Sequence, residues 1–269
     1  MSNYYDWIAD RYDVTRPLPT SISEQVADCI LNLVKATPET TFLEPGIGTG
    51  RTSFPIIKRG YPFTGIDISP PMMAQLRQKL QGIPNRLTLI QTDASSLPFA
   101  DNTFDVAMTT HMLHCLPNWL QRLAEIRRVL KPKGIYLACE NLLTEHQKAF
   151  EKPLREFLAL YQSEVKALPQ EGPRLRPFGQ EMVQVLTEQG ATVEIITAAR
   201  WRLEQTVGEL LNVYRMKAVG LCWTAPDQVF SKAMAKFIPW SHENYGSEDV
   251  RLASEATFEI TVAHNWASG

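Results

Sequence analysis

The stretch FLEPGIGTGRTSF, Phe42 to Phe54, sets three glycines on alternate positions between an apolar run and a helical pattern. A loop with so little side-chain bulk lets a ligand lie against the backbone, and its spacing restricts which ligand. A dinucleotide fingerprint GxGxxG, read from Gly46, needs its third glycine at position 51 so that the helix packs closely on the strand. Arg51 stands there instead. A triphosphate loop GxxxxGK[ST] ending at Gly50 needs glycine at position 45 and lysine at 51, and Pro45 and Arg51 break it twice. What remains is an acidic residue followed by alternating glycines: Glu44, Gly46, Gly48 and Gly50.

Outward from this loop, short apolar runs alternate with helical patterns, which predicts βαβ units and a parallel sheet. Strands are expected at 41–44, 62–66, 86–91, 104–109 and 134–139, with helices at about 51–59 and 70–81. Leu116, Trp119, Leu120, Leu123, Ile126, Val129 and Leu130 recur at helical spacing, and the KPKG that follows reads as a helix terminator. A helix at about 179–189, a strand at 192–198 and an alternating strand at about 255–262 complete the pattern.

Two segments exceed this alternation. Residues 144–168 and 206–239 are helical in pattern and rich in aromatics and Met. Both follow strands, so they are expected at the carboxyl edge where open α/β sheets bind ligands, either covering the site or forming a subunit interface. The expected organisation is one domain over 1–269. Its core spans about 20–142, 179–203 and 249–265, with helical caps at about 143–178 and 204–248.

Composition narrows the function classes. With 27 Lys+Arg against 29 Asp+Glu the net charge is -2, so no bulk electrostatic footprint for nucleic acid or an anionic membrane is present. Cys29, Cys115, Cys139 and Cys222 form no CxxC pair, which argues against a disulfide framework or a zinc site. No run reaches the length of a membrane span, and the N-terminus MSNYYDWIADRYD lacks an apolar signal core. A soluble, cytoplasmic protein is expected. The oligomeric state is left open.

Two carboxylates accompany the loop. Asp67 closes the next expected strand in GIDIS, where a carboxylate accepts hydrogen bonds from two vicinal ribose hydroxyls. Asp93 closes the third in QTDASSLPF, where a second carboxylate is suited to the exocyclic amine of an adenine. Together they argue for an adenosine ligand that needs no pyrophosphate. Glu44 to Gly50, GYPFTGIDISPPMM, QTDASSLPFADNTFDVAM and EIRRVLKPKG occur in an order and spacing that resembles class I S-adenosylmethionine-dependent methyltransferases. The likeness is to the ubiquinone/menaquinone-biosynthesis and small-molecule group, and it covers about 41–140.

That resemblance implies a Rossmann-like, mostly parallel seven-stranded sheet with its last strand antiparallel and helices on both faces. It implies S-adenosylmethionine as cofactor, with the glycine loop against the methionine portion and Asp67 on the ribose. Ile68 would pack on the adenine, Asp93 and Ala94 flank its amine, and Thr110 and His111 line the region of the methyl group. The YDVTRP segment matches an N-terminal piece that folds over the cofactor, which brings in Tyr12 and Arg16.

In THMLHCL, His111 and His114 are candidate general bases, since histidine titrates near neutrality and this edge faces the site. The plainer alternative is that they are ordinary residues at a strand exit. No further ligand cluster accompanies them, so no metal is expected. After the fourth strand the sequence reads TTHM rather than the [DN]PP[YF] pattern that nucleic-acid amine methyltransferases carry, which argues against a nucleic-acid substrate. The expected function is methyl transfer to a small, partly hydrophobic metabolite. Its competitors are an S-adenosylmethionine-binding protein without that activity or with a different product, and an NAD-dependent oxidoreductase.

Overall fold

The computed structural model describes residues 2–116, 118–164, 178–223 and 225–266. The expected helix over 144–168 is therefore followed only to Glu164, and the end of that segment lies outside the described residues.

The chain runs α1 (Ser2–Ile8), α2 (Tyr12–Thr15), α3 (Thr20–Leu33), β1 (Phe42–Pro45), α4 (Phe54–Lys58), β2 (Phe63–Asp67), α5 (Pro70–Leu80), β3 (Leu87–Gln91) and β4 (Phe104–Thr110). A 3-10 turn (Leu113–Cys115) leads to α6 (Trp119–Val129) and β5 (Leu130–Asn141). Then come α7 (Glu145–Glu164), α8 (Phe178–Glu188), β6 (Thr192–Thr206), α9 (Val207–Arg215), α10 (Gly220–Trp223), α11 (Asp227–Tyr245) and β7 (Arg251–His264).

The seven strands form one sheet in the order β3-β2-β1-β4-β5-β7-β6. Pairing is parallel from β3 through β5, and β7 is antiparallel to β5, with Tyr136 opposite Ala263 and Asn141 opposite Phe258. From β1 the chain steps outward to β2 and β3, then returns to the other side of β1 for β4. That reversal opens a crevice at the carboxyl ends of β1 and β4, where doubly wound sheets bind ligands.

Contacts divide the chain into two units. The first comprises Met1–Asn141, Leu175–Ala199 and Phe258–Gly269; the second comprises Leu142–Arg174 and Arg200–Thr257. In the first, sheet and helix residues such as Leu43, Ile66, Leu123, Ile126, Tyr136 and Trp266 form a buried core. All four residues of β1 are buried, as expected of a strand covered on both faces. The second unit has its own core, in which Phe150, Leu154, Leu211, Tyr214 and Phe237 pack together. The Phe237 ring lies edge-on to Phe150 and Tyr214, at centroid distances of 5.9 and 5.4 Å.

Three local expectations need correction. Leu116 and Leu120 do not share the buried face of α6: the helix starts at Trp119, and Leu120 is 50% exposed. KPKG is no simple terminator, because β5 begins at Leu130 directly after the helix. Phe104 pairs with Leu130 and Val106 with Ile135, so the register shift falls at KPKG. Lys131 there donates to Asp105 at 2.8 Å. Finally, β6 and β7 run well past the expected 192–198 and 255–262.

Candidate functional site

The glycine loop leaves β1 in left-handed backbone: Gly46, Gly48 and Gly50 have φ of +72°, +52° and +65°. Space is as tight as the backbone. A Cβ on Gly46 would sit 2.6 Å from Met112 Cγ, and one on Gly50 the same distance from Leu76 Cδ1. The loop borders a cavity of about 380 Å³ lined entirely by residues of the first unit. Glu44, Gly46, Gly48, Asp67, Ile68, Asp93, Ala94, Thr110, His111 and Tyr12 all lie on its wall.

Asp67, at the end of β2, ties the loop down. Its Oδ2 accepts the Gly48 N–H at 2.7 Å and its Oδ1 the Ser69 N–H at 2.8 Å. Burial pushes its carboxyl up, while those two N–H groups pull against it. Each oxygen keeps lone-pair capacity toward the cavity. Asp93, at the exit of β3, is more open: burial acts to raise it, but the Ser95 N–H at 2.7 Å and Arg122 at 3.2 Å hold it below its ordinary value.

Glu44 is the third acid. It is 2% exposed, its Oε1 accepts from the Thr110 hydroxyl at 3.0 Å, and its buried Oε2 has no hydrogen-bond partner among the described residues. Burial raises its carboxyl to about 8, the nearby Ser53 hydroxyl and the Thr110 hydroxyl work against that, and the charge of Asp67 adds to it. An unpaired buried carboxyl oxygen on a cavity wall is costly unless something donates to it, which an ammonium group would do.

The wall therefore presents hydrogen-bond acceptors at the exits of three adjacent strands, β3, β2 and β1. Neighbouring strands are about 4.8 Å apart, so this row spans roughly 10 Å. It suits an extended ligand with donors along its length: an amine, a pair of hydroxyls and an ammonium. Ile68, 44% exposed, adds an apolar surface beside Asp67. A nicotinamide dinucleotide would instead need the helix packing that Arg51 replaces.

Residues 43–138 match the methyltransferase domain family. The chain has a class I S-adenosylmethionine-dependent methyltransferase fold. It is related to the demethylmenaquinone methyltransferase family. One relative, the demethylmenaquinone methyltransferase of Desulfitobacterium hafniense, is 32% identical over 142 residues, which is 51% of this chain and 56% of that one. The chain thus spans about half the length of that relative. Among solved structures, the YcgJ protein of Bacillus subtilis superposes with a TM-score of 0.55 at 15% identity, covering 90% of this chain and 98% of that one. The [4+2]-cyclase SpnF does so at 0.51 and 19%, covering 97% and 96%.

Within this methyltransferase fold, three expected site residues stand apart from the cavity wall. Gly50 packs against Leu76, Arg16 places its guanidinium 4.3 Å above the Tyr12 ring, and His114 is set back in the 3-10 turn. His111 is on the wall, but its ring does not suit a general base. Its Nε2 accepts the Asn141 N–H at 2.9 Å, so the lone pair that would take a proton is occupied and the neutral ring carries its hydrogen on Nδ1. Burial, with the charges of Arg51, His114 and Arg16, holds the imidazole well below its usual value. His114 is lowered too, by burial and then by Arg16.

The sequence reading missed Tyr5, Arg51, Met112, Leu116 and Arg122, which share the wall. In the sequence Arg51 stands out only as a broken fingerprint, and Leu116 only as part of a helix face. The N-terminal segment is fastened to the site by side chains. Asp13 accepts from Thr49 at 2.6 Å and from Lys79 at 2.7 Å, and Asp6 accepts from Ser69. Among the described residues no cluster of His, Cys, Asp and Glu is placed to hold a metal, and no helix is long and apolar enough to cross a membrane.

Proposed function

We propose that this chain transfers a methyl group from S-adenosylmethionine to a small, partly hydrophobic acceptor, in the cytoplasm and without a nucleic-acid partner. The observation that carries this reading is the row of Asp93, Asp67 and Glu44 along one cavity beside the glycine loop. When bound, S-adenosylmethionine supplies an electrophilic methyl group on a positively charged sulfur. In this reading Asp93 and Ala94 hold the adenine amine, Asp67 the ribose hydroxyls, Ile68 the ring face, and Glu44 the ammonium. Gly46 and Gly48 let the ligand approach the backbone.

Thr110 keeps Glu44 oriented, and Tyr12, Met112 and Leu116 exclude water from a displacement that depends on alignment in a dry site. With the His111 lone pair engaged, the wall supports an acceptor that reaches the site with its nucleophilic lone pair already available. The relative from Desulfitobacterium, by its name, acts on demethylmenaquinone, which supports a small-molecule acceptor.

A second reading, in which the cofactor is bound without methyl transfer, draws support from the fold likeness to a cyclase over nearly the whole chain. Calorimetric titration with S-adenosylmethionine, S-adenosylhomocysteine and NAD in parallel comes first. An acceptor screen read by mass spectrometry for S-adenosylhomocysteine formed together with a methylated product follows. Binding of NAD alone would overturn both readings; binding of the first two with no methylated product across apolar acceptors would favour the second.

A further inference from the structure

Arg51 is a half-buried cation on the cavity wall, and among the described residues no carboxylate forms an ion pair with it. The other arginine on the wall, Arg122, is engaged with Asp93 at 3.2 Å. Asp13, an acid whose charge reaches Arg51, has its two oxygens on Thr49 and Lys79. One guanidinium nitrogen of Arg51 donates to the Arg16 carbonyl at 2.7 Å. That bond fixes the fork while leaving most of its five donors for something else. A guanidinium placed this way is costly to keep without an anion and is suited to bidentate recognition of a carboxylate.

Position says which carboxylate. With adenine at the β3 exit and ribose at the β2 exit, the remaining tail of the ligand falls at the β1 exit, where Glu44 and Arg51 both border the cavity. Glu44 is an acceptor and Arg51 a donor, the pair that an α-amino acid end requires. We propose that the Arg51 guanidinium anchors the α-carboxylate of the methionine portion of S-adenosylmethionine. This makes the residue that breaks the dinucleotide fingerprint a specificity determinant for the amino-acid tail, and it rests on the cofactor reading above.

Decarboxylated S-adenosylmethionine keeps the sulfonium, the ammonium and the adenosine and lacks only the carboxylate, so it is the probe of choice. The wild-type protein is expected to bind S-adenosylmethionine on the order of tenfold to a hundredfold more tightly than the decarboxylated ligand by calorimetry. Arg51→Gln should erase that preference by weakening the first ligand alone. Arg51→Lys, which keeps the charge without the fork, should restore part of it and guards against a folding defect in the first variant. If Arg51→Gln keeps the preference, or weakens both ligands equally, the proposal is wrong and Arg51 merely supports the loop. Failure of the wild-type protein to bind either ligand would instead bring down the cofactor reading itself.

Discussion

The two units of this chain are held together by different kinds of order. In the first, a parallel sheet brings a loop and three strand ends to one edge, and the polar side chains there are held by specific bonds: Asp67 by Gly48 and Ser69, Asp93 by Ser95 and Arg122, Glu44 by Thr110. In the second, helices α7, α9 and α11 meet through rings, with Phe237 stacked on Trp240 at 5.6 Å and edge-on to Phe150 and Tyr214. The contrast is between direction and area. Hydrogen bonds to buried carboxylates fix atoms within tenths of an ångström, whereas aromatic packing rewards coverage and tolerates many arrangements. Chemistry is therefore legible in the first unit, and stability in the second.

That contrast is open to attack. The largest effect expected is Phe237→Ala, which empties the centre of the helical core and should cost about 3–5 kcal/mol of that unit's stability. Thermal and denaturant unfolding would measure the loss. S-adenosylhomocysteine affinity should stay within about threefold of wild type, since every cavity-lining residue belongs to the first unit. A collapse of binding would show that the units do not divide the work. Asp67→Ala is the mirror experiment. It removes the proposed ribose acceptor and strands the Gly48 and Ser69 N–H groups, so affinity should drop on the order of a hundredfold with the secondary structure retained by circular dichroism. Unchanged affinity would refute the ribose role.

Next comes the pH dependence of Glu44. Its carboxyl, raised to about 8, is protonated at neutrality in the free protein and must ionise to face an ammonium. Affinity for the cofactor should rise roughly tenfold per pH unit up to about pH 8 and then level, relative to Glu44→Gln, which should lack that rise. Titration at pH 7 in buffers of differing ionisation heat should show close to one proton released per ligand. For folding the sign is reversed. A raised acid binds its proton more tightly in the native state, so this residue's contribution falls as pH climbs from the ordinary carboxylate range through about 8. The smallest effect belongs to His111→Gln. If the ring acts only as a hydrogen-bonding wall residue, turnover should drop by less than about tenfold with no loss of an ionisation from the pH-rate profile. Disappearance of an acid limb near neutrality would restore His111 as a base.

How much could be read in advance follows the same division. The loop from Glu44 to Gly50, Asp67 at the end of β2 and Asp93 after β3 were legible because local spacing carries their meaning: alternate glycines mark left-handed turns, and an acid closing an apolar run marks a strand exit. That Arg51 and Leu116 border the cavity is not legible in local spacing, because it depends on which residues the fold brings around them. Helical periodicity took in Leu116 and Leu120, but the helix begins at Trp119, and only the turn before it places Leu116 on the cavity. The helix α3 went unremarked, although Ile22, Val26, Ala27 and Ile30 follow helical spacing and are buried.

By itself, then, the amino-acid sequence determined the alternation of strands and helices, the glycine loop and the acids that close the neighbouring strands, since each is a local pattern that backbone sterics and side-chain type enforce. Only the tertiary structure decided that Glu44 is buried with one oxygen unbonded among the described residues, that Arg51 borders the cavity with no carboxylate ion-paired to it among those residues, and that the His111 lone pair belongs to Asn141. Desolvation and pairing depend on neighbours 30 to 66 residues away along the chain, as His111 and Asn141 are by 30 and Thr110 and Glu44 by 66, and no local pattern encodes them.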